Sequence, residues 1–323
     1  HKQQIYGLIP ANTSLHCDSL NIMPTPSILF LITPSPNPVS CDVSDNAHKE
    51  GNDNAKVLPS LFRAGGWQVS EVEHRTVHRT PAGLACNEDA LAQFDLIWPI
   101  GFGPRQGFLD WLHLVNELPP RKLINPPSAL AMQHGKAAWV EHAADTYMAA
   151  QPDRLVAAMH EDPGDWVLKP MAGSFGEGVI RLASHESQRL ENTMSEQPGE
   201  YFVLQRFLPE IAKGETRTLI IGGQIIGSYL RVPTNDLHAN LAKDALTKKS
   251  ELSSTQLSLV NTLAAEMLNQ HIGFAAVDLV GDTLMEVNIA NPGGLGTLQR
   301  LYEKDVEIEV IDAVTAFLKR SLP

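Results

Sequence analysis

The chain is poor in several features that would assign it quickly to a class. Its 323 residues hold three cysteines, Cys17, Cys41 and Cys86. An odd number without metal-ligand spacing argues against a disulfide framework and a thiolate zinc site, and points to a reducing cytoplasm. Cys41 reads as a small loop or core residue before it reads as a reactive thiol. Basic residues are outnumbered 25 to 37, for a formal charge of -12. That excludes a general nucleic-acid surface, which needs many cations against phosphates, but leaves room for a local cationic pocket. No apolar run reaches the roughly 18–20 residues that span a bilayer, so no membrane partner is expected. The twelve histidines form no His-x-x-x-His or Glu-x-x-His pattern on an expected helix, which removes a common zinc arrangement. A Gly-x-Ser-x-Gly elbow, a Walker A loop, internal repeats and low-complexity tracts are also lacking.

What is present fits a globular protein, 43% hydrophobic and 19% charged, with length for two or three domains. Residues 1–22 lack the basic start and apolar core of a signal peptide and precede Met23; they are expected to be a leader or disordered extension. Residues 23–125 alternate strand and helix signals, which predicts a small parallel α/β domain. Ser27–Thr33 is a short apolar run suited to a buried strand, and 53–64 carries Val57, Leu58, Leu61 and Phe62 at helical spacing before Gly65-Gly66 stops it. Strands are expected at 67–72, 94–98 and 122–125, with a helix over 107–118.

Residues 126–323 read as α+β, with 126–205 a lid subdomain. Gly222-Gly223 and Gly281-Asp282 suit hairpin turns between 216–221 and 224–232, and between 275–280 and 284–289. The 253–271 segment predicts a helix with a Ser253/Gln256 capping box, and two more helices, 295–302 and 306–318, close the chain.

Two motifs carry chemistry. Asp278 lies on one strand of the second hairpin and Glu286 and Asn288 lie two apart on the other, sharing a face. If the strands pair through the turn, three oxygen donors can converge on a hard cation such as Mg2+; the alternative is the polar outer face of a hairpin. Lys169 precedes a loop with Gly173, Ser174, Phe175, Gly176 and Gly178, whose glycines let backbone amides approach phosphates; the alternative is a flexible hairpin loop. Gly101-Phe102-Gly103-Pro104-Arg105-Gln106-Gly107 imitates a dinucleotide fingerprint, but its spacing is too long and a proline interrupts it, so a loop facing substrate fits better. Lys248-Lys249 reads as a solvated charge pair.

In order and spacing these segments resemble the ATP-grasp superfamily, and within it the bacterial glutathione synthetases, from about Asn125 to Gln299. Asn125 to Leu130 with Lys136 resembles the approach to the family's nucleotide site, and Val167 to Pro170 with the glycine loop resembles its phosphate-covering flap. Gln205, Arg206, Phe207 and Leu208 resemble the hinge whose backbone reads adenine. Gly214 to Arg217 brings the arginine set near the transferred phosphoryl group, and Asn240-Leu241-Ala242 a short substrate-side motif. Asp278, Glu286 and Asn288 fall where the family holds its magnesium.

The resemblance implies an ATP-grasp fold behind the small parallel-sheet domain, and ATP with two Mg2+ ions, Mn2+ able to replace them. It further implies a homo-oligomer and ligation of a small-molecule carboxylate to an amine through an acylphosphate. Arg217 and Lys169 would be catalytic, with Lys136 and Lys169 neutralising phosphates. Asn291, Gly293 and Gly294 would face substrate, the two glycines offering amides to a carboxylate or forming a plain turn. The chain departs from the family at 99–104, 238–242 and 291–294, all on the substrate side. Three readings stand beside a ligase of altered specificity: glutathione synthetase itself, a non-catalytic nucleotide-binding regulatory protein, and an enzyme that stops at phosphoryl transfer.

Overall fold

A computed structural model of the protein describes residues 25–33, 52–101, 105–171, 178–233 and 245–320. The expected leader, the loop residues Gly173, Ser174, Phe175 and Gly176, and Asn240 lie outside them. Strand β1 (Ser27–Ile32) is apolar from Ile28 onward and its four central residues are buried. Helix α1 (Asn54–Ala64) leads to β2 (Gln68–Glu73), which runs parallel to β1. Phe62 of α1 meets Phe30, Trp67 and Trp98 edge-on at 5.1–6.0 Å between ring centroids, an arrangement aromatic quadrupoles favour.

The chain then forms a small antiparallel sheet, β3 (Val77–Thr80), β4 (Gly83–Cys86) and β5 (Asp89–Ala90), that the sequence reading did not anticipate. Strand β6 (Leu96–Pro99) returns to the first sheet, whose order is β2-β1-β6. Helices α2 (Phe108–Val115) and α3 (Pro127–Met132) follow. The strand expected at 122–125 is a single bridge, Ile97 to Leu123. Pro119-Pro120 and Pro126-Pro127 hem it in, and proline has no N–H to extend a ladder.

The segment expected to form the lid holds β7 (Thr146–Ala149), α4 (Pro152–Glu161), β8 (Asp165–Pro170), β9 (Ile180–Ala183), α5 (Ser187–Ser195) and β10 (Phe202–Arg206). Its antiparallel sheet has the order β7-β10-β8-β9 and a core of its own around Trp166, Leu168, Phe202 and Met159.

The last sheet is antiparallel, in the order β13-β12-β11-β14-β15: β11 (Glu215–Ile221), β12 (Gln224–Pro233), β13 (Ala245–Lys249), β14 (Phe274–Val280) and β15 (Thr283–Asn288). Helix α6 (Ser254–Asn269) opens with the expected capping box: Gln256 N donates to Ser253 Oγ and Ser253 N to Gln256 Oε1, at 3.1 and 3.0 Å. α6 covers one face of the sheet, with Val260, Leu263 and Met267 in the same core as Val277 and Leu279. Helices α7 (Leu295–Tyr302) and α8 (Glu307–Arg320) cover the other. There Leu219, Ile221, Phe274 and Phe317 share one core with Ile28 and Phe30 of β1, so the parallel sheet and the last sheet are packed around common apolar ground.

Asn125 joins the two. Its Oδ1 accepts from Gly273 N and Phe274 N at 2.6 and 2.9 Å, and its Nδ2 donates to Phe274 O and Ile289 O at 2.7 and 2.6 Å. All four bonds are buried, and a buried group left unpaired costs about 1–3 kcal/mol. Asn125→Ala is therefore expected to lower stability by about 3 kcal/mol or more, measured by urea unfolding; a loss within about 0.5 kcal/mol would contradict the role given to Asn125.

Candidate active site

The position of the charged residues depends on two one-residue bulges. Through the Gly281-Asp282 turn, Val280 pairs with Thr283 and Leu279 with Leu284, but Asp278 pairs with Glu286, not Met285. The same happens in β11 and β12: Ile220 pairs with Ile225, but Leu219 pairs with Gly227, passing over Ile226. Residues directly opposite on antiparallel strands project to the same face, and a shift of one residue moves every later side chain to the other face. With an unbroken register Asp278 and Glu286 would lie on opposite faces, as would Glu215 and Arg231. The bulges place Asp278, Glu286, Arg217, Glu215 and Arg231 on one face of the sheet, beyond the apolar stretch that ends at Leu219 and Ala276.

Asp278, 1% exposed, is at the centre of this row. Arg217 donates to it through Nε (2.8 Å, to Oδ1) and Nη2 (2.7 Å, to Oδ2), and Arg231 Nη2 donates to Oδ2 at 3.1 Å. Arg231 is also paired with the fully buried Glu215. Burial by itself would raise the Asp278 carboxyl; the two guanidiniums outweigh it and hold it down to about 2, as expected when opposite charge and hydrogen bonds favour the ionised form. Arg231 and Glu215 were not singled out in the sequence. Glu215 shares the face of Arg217 because it lies two residues before it on β11, whereas Arg231 joins the row only because of the bulge at Ile226, which no local signal announces.

Glu286 forms the other end of the row, where the last sheet meets the lid. Its side chain is 43% exposed and its Oε1 stands 4.0 Å from Lys136 Nζ. A cleft here is lined by Lys136, Lys169, Gln205 and Glu286, with Trp139, Val203, Leu284 and Val287 as apolar walls. Lys169 Nζ donates to Gln205 Oε1 (2.9 Å), and Gln205 Nε2 to Thr146 Oγ1 (3.0 Å). Burial pushes the Lys169 ammonium down from its ordinary value, against the upward pull of Glu286, and Lys136 adds to the lowering. His134 is pushed down to about 4, again chiefly by burial, and is neutral at pH 7. The structure thus brings Lys136, Lys169, Gln205 and Glu286 together in one cleft.

Other expected residues are placed differently. The Arg206 guanidinium lies 3.8 Å over the Trp166 ring and pairs with Asp162, while Arg181 lies 3.8 Å over Phe207. Arg206 N and Phe207 N donate to Asp145 O and Asp165 O. Leu208 leads from β10 to the 209–213 turn, its carbonyl accepting from Ile211 N. Asn288 is opposite Ala276, next along the strand on the Glu286 side of the row, and its Oδ1 accepts from Ala290 N at 3.2 Å.

Among the described residues no three His, Cys, Asp or Glu side chains gather as a metal cluster. The donor set is two carboxylates in register and a nearby amide. Asp278 uses three of about four carboxylate lone-pair positions on arginine, and Glu286 opens to the cleft. Such a set fits Mg2+, which takes one or two carboxylates and leaves its other positions to phosphates and water.

The loop after β15 lies against the row. Arg217 Nη1 approaches Gly293 O at 3.5 Å, and Gly294 adopts φ +133 with a Cβ position only 2.5 Å from the Tyr229 hydroxyl, so no other residue fits there. Asn291 is held from the first domain: its Oδ1 accepts from Asn54 Nδ2 and its O from Asn52 Nδ2, both at 2.8 Å.

Comparison with known proteins gives a consistent result. The family model for the prokaryotic glutathione synthetase ATP-grasp domain matches residues 136–303. Glutathione synthetase of Prochlorococcus marinus subsp. pastoris is 30% identical over 233 residues, covering 69% of this chain and 75% of that protein. Among solved structures, ATP-grasp ligase PsnB complexed with minimal precursor, Mg and ADP superposes with a TM-score of 0.61 at 15% identity, over 91% of this chain and 98% of that one. D-alanyl-alanine synthetase A from Vibrio cholerae gives 0.59 at 15% identity, over 92% and 99%.

The Asp278 environment predicts a pH dependence. A carboxyl whose pKa is depressed on folding adds stability that is complete above its ordinary value near 3.8 and is lost as pH falls toward about 2. Asp278→Asn leaves two buried guanidiniums short of their partner and should cost about 3–5 kcal/mol at pH 7, the gap to wild type narrowing below about pH 4. Denaturant unfolding across that range tests this; a gap that does not vary with pH would contradict it.

Proposed function

Because the chain belongs to the prokaryotic glutathione synthetase family of ATP-grasp enzymes, we propose that it joins the carboxylate of an amino acid or short peptide to an amine through an acylphosphate, at the meeting of the cleft and the charged row. It is an ATP-dependent carbon–nitrogen ligase, and its family binds ATP and Mg2+ and works on small-molecule or peptide substrates. The observation that carries the finer reading is the Asp278–Glu286 pairing, which continues the arginine-bearing row directly into a cleft holding Lys136 and Lys169.

The chemical difficulty is that a carboxylate is a poor electrophile. Transfer of the γ-phosphoryl group of ATP to a carboxylate oxygen gives an acylphosphate; amine attack at its carbonyl carbon then expels phosphate and the amine gives up a proton. Such transfer depends on positioning and charge neutralisation. In this reading Lys136 and Lys169 sit against the nucleotide phosphates, and the hinge 205–208 borders the adenine. Arg217, its fork fixed on Asp278, faces the transferring group, where a planar guanidinium binds two oxygens at once. Asp278, Glu286 and Asn288 would hold Mg2+, two ions with Mn2+ able to replace them, which would supply charge neutralisation to the phosphates. The 173–178 loop and Asn240 would serve the nucleotide by resemblance alone, and Asn291, Gly293 and Gly294 border the substrates. A cytoplasmic homo-oligomer belongs to the same reading.

The relatives' name favours one pair of substrates, γ-glutamylcysteine and glycine, for the first assay. The departures at 99–104, 238–242 and 291–294 favour a different pair. The test is ADP release measured over pairs of amino acids, short peptides and amines. Release that needs both a carboxylate and an amine is expected. Release that needs no amine would indicate a kinase, and nucleotide binding without release from any pair would indicate a regulatory protein.

Glu286→Gln is expected to lower kcat by about 100-fold or more while the protein remains folded, since the side chain is 43% exposed. Turnover like that of wild type would remove Glu286 from the site.

A further inference from the structure

Among the described residues, the start of α1 holds two buried acceptor atoms that receive no hydrogen bond. Asn54 is fully buried, and its amide nitrogen is engaged twice, donating to Asn291 Oδ1 and Pro292 O at 2.8 Å each. Its Oδ1 is buried without a hydrogen-bond partner, and so is Oδ1 of the neighbouring Asp53. Asp53 occupies the N-cap position of α1, yet its side chain makes no capping bond there. The carboxylate instead reaches across to α7, where Oδ2 lies 2.2 Å from the position a Cβ would take on Gly296. Only glycine admits that approach.

An aspartate at an N-cap ordinarily accepts from its own helix, and native structures rarely leave a buried acceptor unshared. Two such atoms on adjacent residues, at the joint of the first domain with the 291–294 loop, therefore mark a place where donors arrive from outside the fold. Burial is the largest influence on the Asp53 carboxyl and raises it from its ordinary value, with its own backbone amide, Arg300 and Lys56 acting the other way. The nearby cations thus do not fully compensate the buried carboxylate.

We propose that the start of α1 is the amine-recognition end of the active site: Asn54 fixes the 291–294 loop through its amide nitrogen, and Asp53 Oδ1 and Asn54 Oδ1 receive the N–H donors of the amine substrate. The proposal rests on the ligase reading and extends it to the first domain. It assigns Asp53 to substrate contact and gives Asn54 a second, positioning role. The loop that Asn54 holds is the one whose Gly293 carbonyl meets Arg217, so the same clasp sets the distance between amine and phosphoryl sides.

The test uses the full chain with Asp53→Asn, which keeps shape and removes charge, and Asn54→Ala, which removes the clasp. Amine-dependent ADP release is read with ATP, carboxylate and amine varied in turn, using the pair found for wild type. Asp53→Asn should raise KM for the amine by about tenfold or more, with KM for ATP and the carboxylate and kcat within about threefold. A residue serving only the fold would shift all of these together or none. Asn54→Ala should also speed hydrogen exchange at the amides of Gly293 to Leu295 by about tenfold, while the Asp278 strand is unchanged; this needs no substrate. An amine KM within about twofold of wild type in Asp53→Asn, or unchanged exchange at 293–295 in Asn54→Ala, overturns the proposal. Failure of the ligase reading looks different: wild type itself then releases no ADP with any pair. The exchange result decides the role of Asn54 in that event.

Discussion

The Asp278 carboxylate, held between two guanidiniums with almost no contact with water, is the interaction on which the rest of the site depends. It lies on the strand between β11 and β15, so it couples Arg217 to the glutamate that faces the cleft. A buried pair of this kind is weak evidence for stability, since removing charges from water costs about as much as the pair returns. Its value lies in orientation. Arg217 is fixed at both Nε and Nη2, and a side chain held at two atoms has little freedom left to lose when a substrate arrives.

The bulges at Ile226 and Met285 make this arrangement possible. Each adds one residue to a hairpin arm and reverses the faces beyond it. Toward the Gly222-Gly223 turn the face in question is apolar and packs on α7, α8 and β1; toward the Gly281-Asp282 turn it carries charge. One sheet therefore serves as core at one end and as the proposed catalytic floor at the other. The lid has its own apolar core and meets the floor through the cleft where Lys136 and Lys169 face Glu286. A lid with a separate core can shift against the floor without disturbing the packing of either, which suits a site that must admit a nucleotide and then exclude water.

Much of this was legible from the sequence, for identifiable reasons. β1 could be read because a continuous apolar run between turn signals suits a strand buried on both faces, and α6 because Ser253 and Gln256 form a capping box before an amphipathic run. The glycine turns at 222–223 and 281–282 located both hairpins. The separation of Asp278, Glu286 and Asn288 led to a shared site, but the reasoning assumed a register the chain does not have. Taken literally, pairing through the Gly281-Asp282 turn sets Asp278 and Glu286 on opposite faces; the bulge corrects this. Bulges are set by tertiary packing and leave little local signal, so Arg231 went unnoticed, and with it the partner that gives the buried Glu215 its place. Asn54 was hidden for another reason. Its partners lie 237 and 238 residues away, and an asparagine at a helix start reads as an ordinary cap. The β3–β5 sheet escaped because strands of two to four residues are too short to show alternation.

The central claim is that this floor activates a carboxylate by accepting the γ-phosphoryl group onto one of its oxygens. The most direct measurement follows that oxygen. With a carboxylate substrate labelled with oxygen-18, turnover with ATP and the amine should place one labelled oxygen in each phosphate released, detected by mass spectrometry. Phosphate free of label, formed at the same rate as product, would contradict the acylphosphate route and with it the role assigned to the Asp278 row.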